Sequence, residues 1–146
     1  MAITDKEYNK MTKRASPPSA KFKNCVKAFF IGGLICAFGQ ALLMIFESLA
    51  MSQKQAETLV PITLIVLTAI LTGLGVFDKI ARHAGAGTIV PITGFANSIV
   101  SPAMEFQSEG KILGTGANMF KIAGPVIVYG TVASVIYGFI YYITLK

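Results

Sequence analysis

Between Ala84 and Met104 the chain runs 21 residues without a charge. That is long enough to cross a bilayer, for which a helix needs about 20 apolar residues. Yet the same stretch holds Gly85, Gly87, Pro91, Gly94, Asn97 and Pro102, a composition that does not make a plain membrane helix. An unpaired backbone N–H or C=O facing lipid costs several kcal/mol, so irregular backbone survives at membrane depth only inside protein or along a watery cavity. Interrupted helices of this kind build the solute and ion sites of many transporters. The segment is therefore expected to be broken or re-entrant, and to belong to a protein that moves solutes.

The rest of the composition agrees with a membrane location. Charged residues make up 14% of the 146 residues and hydrophobic ones 53%, where soluble domains carry about 25% charged residues. The fold class expected is an all-α integral membrane protein of about four hydrophobic segments, the third broken or re-entrant, preceded by a short amphipathic interfacial helix. Residues 1–18 are read as a basic, flexible cytoplasmic tail and 19–146 as a single membrane domain. The first 27 residues are polar and basic, with no signal-peptide pattern. Lys6, Lys10, Lys13, Arg14, Lys21, Lys23 and Lys27 precede the first span, against Asp5 and Glu7. This excess puts the N-terminus on the cytoplasmic side and suits contact with anionic lipid heads. Nucleic acid is not an expected partner, because no aromatic platform or nucleic-acid fold accompanies the charges.

Residues 1–17 read as disordered or loosely structured, with Ser19 placed to cap a helix after Pro17-Pro18. Phe22, Cys25, Val26, Phe29 and Phe30 then follow helical spacing, giving an interfacial helix that feeds the first span, Ala28 to Phe46. In that span Gly33, Ala37 and Ala41 form a small-residue stripe at spacing four, which lets a helix approach closely, and Gln40 is a candidate interhelical hydrogen bond. The second span reads as Thr58 to Phe77, with Pro61 in its first turn, where a missing N–H costs little. Asp78 and Arg82 stand at i, i+4 and can pair. After the broken segment, Ile112 to Phe120 reads as a separate half-membrane piece. The last span, Ile122 to Leu145, carries a second stripe at Gly130, Ser134 and Gly138. Val60-Pro61-Ile62-Thr63 recurs as Val90-Pro91-Ile92-Thr93, by duplication or by the shared habit of starting helices with proline.

No motif points to catalysis, a cofactor or a metal. Cys25 and Cys36 are about 16 Å apart on one helix, too far to bridge. His83, beside Lys79 and Arg82, reads as a loop residue at the membrane surface rather than a pH sensor. Glu105 and Glu109 hold a loop at the water interface. The side chains that matter lie at apparent membrane depth. Pro91, Thr93, Gly94, Asn97, Ser98 and Ser101, with Thr88, belong to the broken segment, and Thr115 and Asn118 to the piece after it. A neutral hydrogen-bonding lining suits a polar solute that must enter and leave quickly. The same side chains also serve to satisfy the interrupted backbone.

The run Gly85-Ala86-Gly87-Thr88-Ile89-Val90-Pro91-Ile92-Thr93-Gly94-Phe95-Ala96-Asn97, followed by Ser98, Pro102-Ala103-Met104-Glu105 and Glu109-Gly110, resembles the stage V sporulation AC/AEB family of membrane proteins of endospore-forming Firmicutes. The likeness extends from about Lys21 onward, and the long basic tail is more like the AC branch. The resemblance implies a spore inner-membrane protein, part of a complex that imports dipicolinic acid into the developing spore and releases calcium dipicolinate at germination. It further implies a channel role, with the AEB paralogue and a soluble, dipicolinate-binding AD protein as partners. It supplies no catalytic or cargo residues, so the site residues above rest on this sequence. Opening under membrane tension is compatible with small-residue interfaces. A non-conducting membrane scaffold that docks a soluble partner is the alternative; a membrane-embedded enzyme would need a reactive cluster that the chain lacks.

Overall fold

A computed structural model describes residues 4–16 and 20–145, and these are mostly helical with no β-strand. The first helix, α1 (Asp5–Ala15), corrects the expectation that residues 1–17 lack regular structure. A capping box starts it: the Thr4 hydroxyl donates to the Glu7 carboxylate at 2.9 Å, and the same carboxylate accepts the Thr4 N–H at 3.3 Å. The carboxylate thereby satisfies the backbone N–H of the cap residue, which a helix start otherwise leaves open. Pro17, Pro18 and the proposed cap Ser19 lie outside the described residues.

Helix α2 (Lys21–Ser48) merges the expected interfacial helix and first span into one element of 28 residues, about 42 Å long. A tight turn with Ala50 at φ 60° follows. Helix α3 (Gln53–Gly73) starts at a second capping box, where the Ser52 hydroxyl donates to Gln55 Oε1 at 2.9 Å. The start is therefore five residues earlier than read from the hydropathy alone, and Pro61 lies inside the helix rather than in its first turn. Such a short connection makes α2 and α3 antiparallel neighbours. Gly39 on α2 accordingly faces Leu64 and Val60 on α3.

Because α2 and α3 are antiparallel, the basic start of α2 and the end of α3 lie at one end of the molecule, the basic end. There sits α4 (Phe77–Ala84), an amphipathic helix with Phe77 and Ala84 buried and Asp78, Lys79, Arg82 and His83 exposed. The expected Asp78–Arg82 ion pair forms at 2.9 Å. Both partners are exposed, so its contribution to stability is small.

The Gly/Pro-rich segment forms two helices, α5 (Ala86–Ile89) and α6 (Ile92–Glu105), separated at Val90-Pro91. After a 3₁₀ turn (Gln107–Glu109), a π-helical turn (Lys111–Gly116) runs directly into α7 (Ala117–Thr144). The separate half-membrane piece expected at Ile112–Phe120 is thus the start of the last long helix. Three helical runs are long and apolar enough to span a membrane: Lys21–Ser48, Gln53–Gly73 and Lys111–Thr144. Together with the broken α5/α6 segment they make the four hydrophobic segments of an all-α membrane protein.

Packing is that of a chain whose solvent is lipid. The buried side chains are mostly small, including Ala56, Ala84, Ala96 and Ala123, while large apolar ones such as Phe22, Leu34, Val90 and Tyr129 face outward. Close approach through small residues is how membrane helices associate when lipid tails are as apolar as the core.

Candidate functional site

The path of α5 and α6 is set by three contacts. Asn24, Ala28 and Arg82 share a surface hollow with Ala86, so α5 begins at the basic end. Gly87 then packs against Ala28 and Gly32 of α2, and Val90 and Pro91 reach the level of Gly33 and Cys36. The segment therefore enters about as deep as the middle of α2. Helix α6 turns back: the Thr72 hydroxyl, one residue before the end of α3, donates to Asn97 Oδ1 at 2.9 Å. The chain thus moves toward the basic end between Pro91 and Asn97. The segment is a re-entrant hairpin with its tip at Ile89–Val90, which are 69% and 83% exposed.

The lengths agree. Helix α6 has 14 residues, about 21 Å, well short of a hydrocarbon core of about 30 Å. Its charged end, Glu105 to Lys111, returns to the basic side. The π-helical turn and helix α7 descend beside α6, with Gly114 of the turn and Ala123 of α7 buried. From Pro125 to Leu145 every residue is exposed, because the hairpin fills only half the depth and the last helix continues past it. Its far end therefore emerges opposite the basic end.

Close backbone contact makes this turn possible. A Cβ on Gly87 would overlap the Ala28 carbonyl and lie 3.0 Å from the Gly32 nitrogen. A Cβ on Gly94 would collide with the Ile89 carbonyl oxygen, with the Ile89 carbonyl carbon at 2.5 Å. Gly94 is thus required for approach and not for a left-handed backbone; Gly85, at φ 51°, provides that conformation at the entry.

Polar side chains at the interruption largely serve the backbone. Pro91 occupies the cap position of α6 in extended conformation. The Thr88 hydroxyl donates to the Gly85 carbonyl at 3.1 Å, Thr93 to the Thr88 carbonyl at 3.4 Å, and Ser98 to the Phe95 carbonyl at 2.7 Å. Ser101 is half-buried on α6. In the π-helical turn, Asn118 Nδ2 donates to the Gly114 carbonyl at 2.8 Å, and the Thr115 N–H reaches the Gly110 carbonyl at 2.9 Å. Asn97 differs: its oxygen accepts from Thr72, and its amide N–H groups donate to no described residue. Pro91, Thr93, Gly94, Asn97 and Ser98 come together in the hairpin, whereas Thr115 and Asn118 stand at the base of α7.

The small-residue stripes occupy other surfaces. Gly33, Ala37 and Ala41 are exposed, and the face of α2 turned to its neighbours carries Ala28, Gly32, Ile35 and Gly39 instead. Gly130, Ser134 and Gly138 are also exposed, with the Ser134 hydroxyl donating to the Gly130 carbonyl at 2.8 Å. Gln40 is exposed as well. The two Val-Pro-Ile-Thr runs have different roles, Pro61 inside α3 and Pro91 capping α6, which argues against a structural repeat. His83 is exposed on α4, its Nδ1 2.9 Å from the Lys79 carbonyl. Among the described residues no three His, Cys, Asp or Glu side chains converge where a metal ion could sit. The sequence reading missed Thr72 and Gly32. Their signals were a threonine late in an apolar span and a glycine four residues after Ala28.

A family model for SpoVAC/SpoVAEB sporulation membrane proteins matches residues 24–140. The chain belongs to that family. It is also 47% identical over 141 residues to stage V sporulation protein AC of Bacillus subtilis (strain 168), an alignment covering 96% of this chain and 94% of the relative. No solved structure matches the chain. The family match takes in α2 to most of α7 and leaves out α1, so the re-entrant hairpin lies within the family's shared part. This is a sporulation membrane protein, and its family is not described as enzymatic.

Proposed function

We propose that the chain is a subunit of a spore inner-membrane complex that conducts dipicolinic acid, with calcium, into the developing spore and out again at germination. The observation that carries this reading is the re-entrant hairpin. Backbone interrupted at membrane depth is maintained where protein buries it or where it lines a solute path, and on the returning arm, level with the last turn of α3, Asn97 carries amide donors that no described residue uses. Dipicolinate is a small planar dianion. A path of neutral hydrogen-bonding groups passes such a solute without trapping it. Opening under membrane tension fits a hairpin held by small contacts between helices.

The test is release from liposomes. Purified protein in vesicles loaded with calcium dipicolinate should release it, followed by terbium luminescence, and faster after an osmotic downshift. Retention equal to that of protein-free vesicles would overturn conduction by this chain alone. The second reading, a scaffold for the AEB paralogue and the soluble AD protein, is favoured by the hydroxyls of Thr88, Thr93 and Ser98, which are all bonded to backbone carbonyls.

Topology gives an independent prediction. In a cysteine-free background, a cysteine at Thr12 should be labelled only from the cytoplasmic side, as the basic tail requires. One at Thr144 should be labelled only from the opposite side. Labelling of both from one side would mean that the hairpin segment crosses the membrane.

Assembly gives another. A Cβ on Gly130 or Gly138 meets nothing within 4 Å, so leucine at either position leaves this chain's own packing intact. If the face contacts another subunit, each variant should lower recovery of the complex in mild detergent severalfold while abundance holds, because close helix contact is lost. Normal recovery from both would show that the face meets lipid.

A further inference from the structure

Between α2 and α3, roofed by α4 and the hairpin, lies a cavity of about 420 Å³, within the range of about 300–1,000 Å³ typical of small-ligand sites. Its floor is formed by Thr68, Thr88, Thr93 and Phe77, all buried. Its open side is rimmed by exposed apolar side chains, among them Leu34 and Ile70.

We infer that this groove holds one acyl chain of an anionic phospholipid, whose headgroup rests at Lys79 on α4. Three observations lead there. The three threonines are the lining residues with a side-chain polar atom, and each hydroxyl already donates to a carbonyl: Thr68 to Leu64 at 2.7 Å, Thr88 to Gly85 and Thr93 to Thr88. A dianionic solute would find no free donor, so the groove is chemically apolar and separate from any path past Asn97. The opening lies along the sides of two spanning helices, where hydrocarbon chains are the surrounding medium. At the basic end, α4 contributes Phe77 and Ile80 to the groove wall. The same helix presents Lys79 to water, with no ion pair to any described residue, beside the Asp78–Arg82 pair. An apolar slot walled by a helix that also carries an unpaired cation, on a flexible stem long enough to reach round it, matches an anionic lipid in both parts.

The chain has no tryptophan, so a single introduced one reports on its surroundings. Leu34→Trp places it at the groove rim, and Ile70→Trp does so from α3, so that failure of one variant leaves the other. Val128→Trp, on the exposed face of α7, samples ordinary surrounding lipid. Each full-length variant is reconstituted with dibrominated phosphatidylglycerol or dibrominated phosphatidylcholine, and fluorescence quenching is followed against mole fraction. The groove reporters should reach half-quenching at about fivefold less of the anionic lipid than of the zwitterionic one, the ratio one lysine near a membrane surface supports. Lys79→Gln should bring the two lipids to parity, and Val128→Trp should show little preference. Equal quenching by both lipids at the groove would overturn the proposal. So would groove reporters that neither lipid quenches, which would place a protein segment, such as a helix of a second copy, in the slot.

Discussion

Gly94→Leu should remove most of the folded protein from the membrane, and Gly87→Leu should do the same. At both positions the added carbon runs into backbone, the Ile89 carbonyl in one case and the Ala28 carbonyl in the other. Backbone cannot rotate away as a side chain would, so the cost lies at or above the usual 1–3 kcal/mol or so for overpacking. For a protein of marginal stability this is a large share of the total. Gly94→Ala should already be harmful, because the first carbon makes the collision. Gly33→Leu is the matched control: its Cβ meets nothing within 4 Å, and abundance should be unchanged. Thermal unfolding in detergent and membrane abundance give the readout. Normal levels of Gly94→Leu would mean that the turn between α5 and α6 opens without cost, and the tight hairpin would have to be abandoned.

What was legible in the sequence were features that act locally. Charge gaps locate the spans, and glycine with proline in an uncharged stretch marks the interruption. Helix starts were legible too but were read through hydropathy: Thr4 to Glu7 and Ser52 to Gln55 both have capping-box spacing, and each begins a helix among polar residues. The direction of the hairpin was not legible. An uncharged stretch of 21 residues fits a crossing and a re-entrant loop equally. What separates them is which end of α3 meets Asn97, a contact between residues 25 apart. Which small-residue face packs within the chain was not legible for a related reason. Glycine and alanine at spacing four occur on two sides of α2, and only the position of α5 selects Ala28 and Gly32 over Gly33, Ala37 and Ala41. For the candidate site, the residue types were visible, but their division between backbone support and an available donor required the hydrogen-bond partners.

That division makes Asn97 the decisive position for function. Asn97→Leu removes the Thr72 contact, and interhelical hydrogen bonds in membranes average about 0.6 kcal/mol with a maximum of about 1.7. Protein abundance should therefore fall little. It also removes the amide donors that no described residue uses, so dipicolinate release per unit of protein should fall severalfold. Thr72→Val separates the two effects, since it breaks the same hydrogen bond and leaves the Asn97 amide in place; it should retain most of the flux. Asn97→Asp should have the largest effect of the three. A carboxylate there costs less than the about 2.5–3.5 kcal/mol that insertion scales give for the centre of a membrane helix, because Asn97 lies level with the last turn of α3, but its charge opposes a dianion in a medium of low dielectric. Release should drop tenfold or more relative to the protein remaining. If Thr72→Val impairs flux as much as Asn97→Leu, Asn97 acts by holding α6 against α3 and not on the solute. If all three variants release dipicolinate normally at normal abundance, the hairpin is packing, and the scaffold reading gains over conduction.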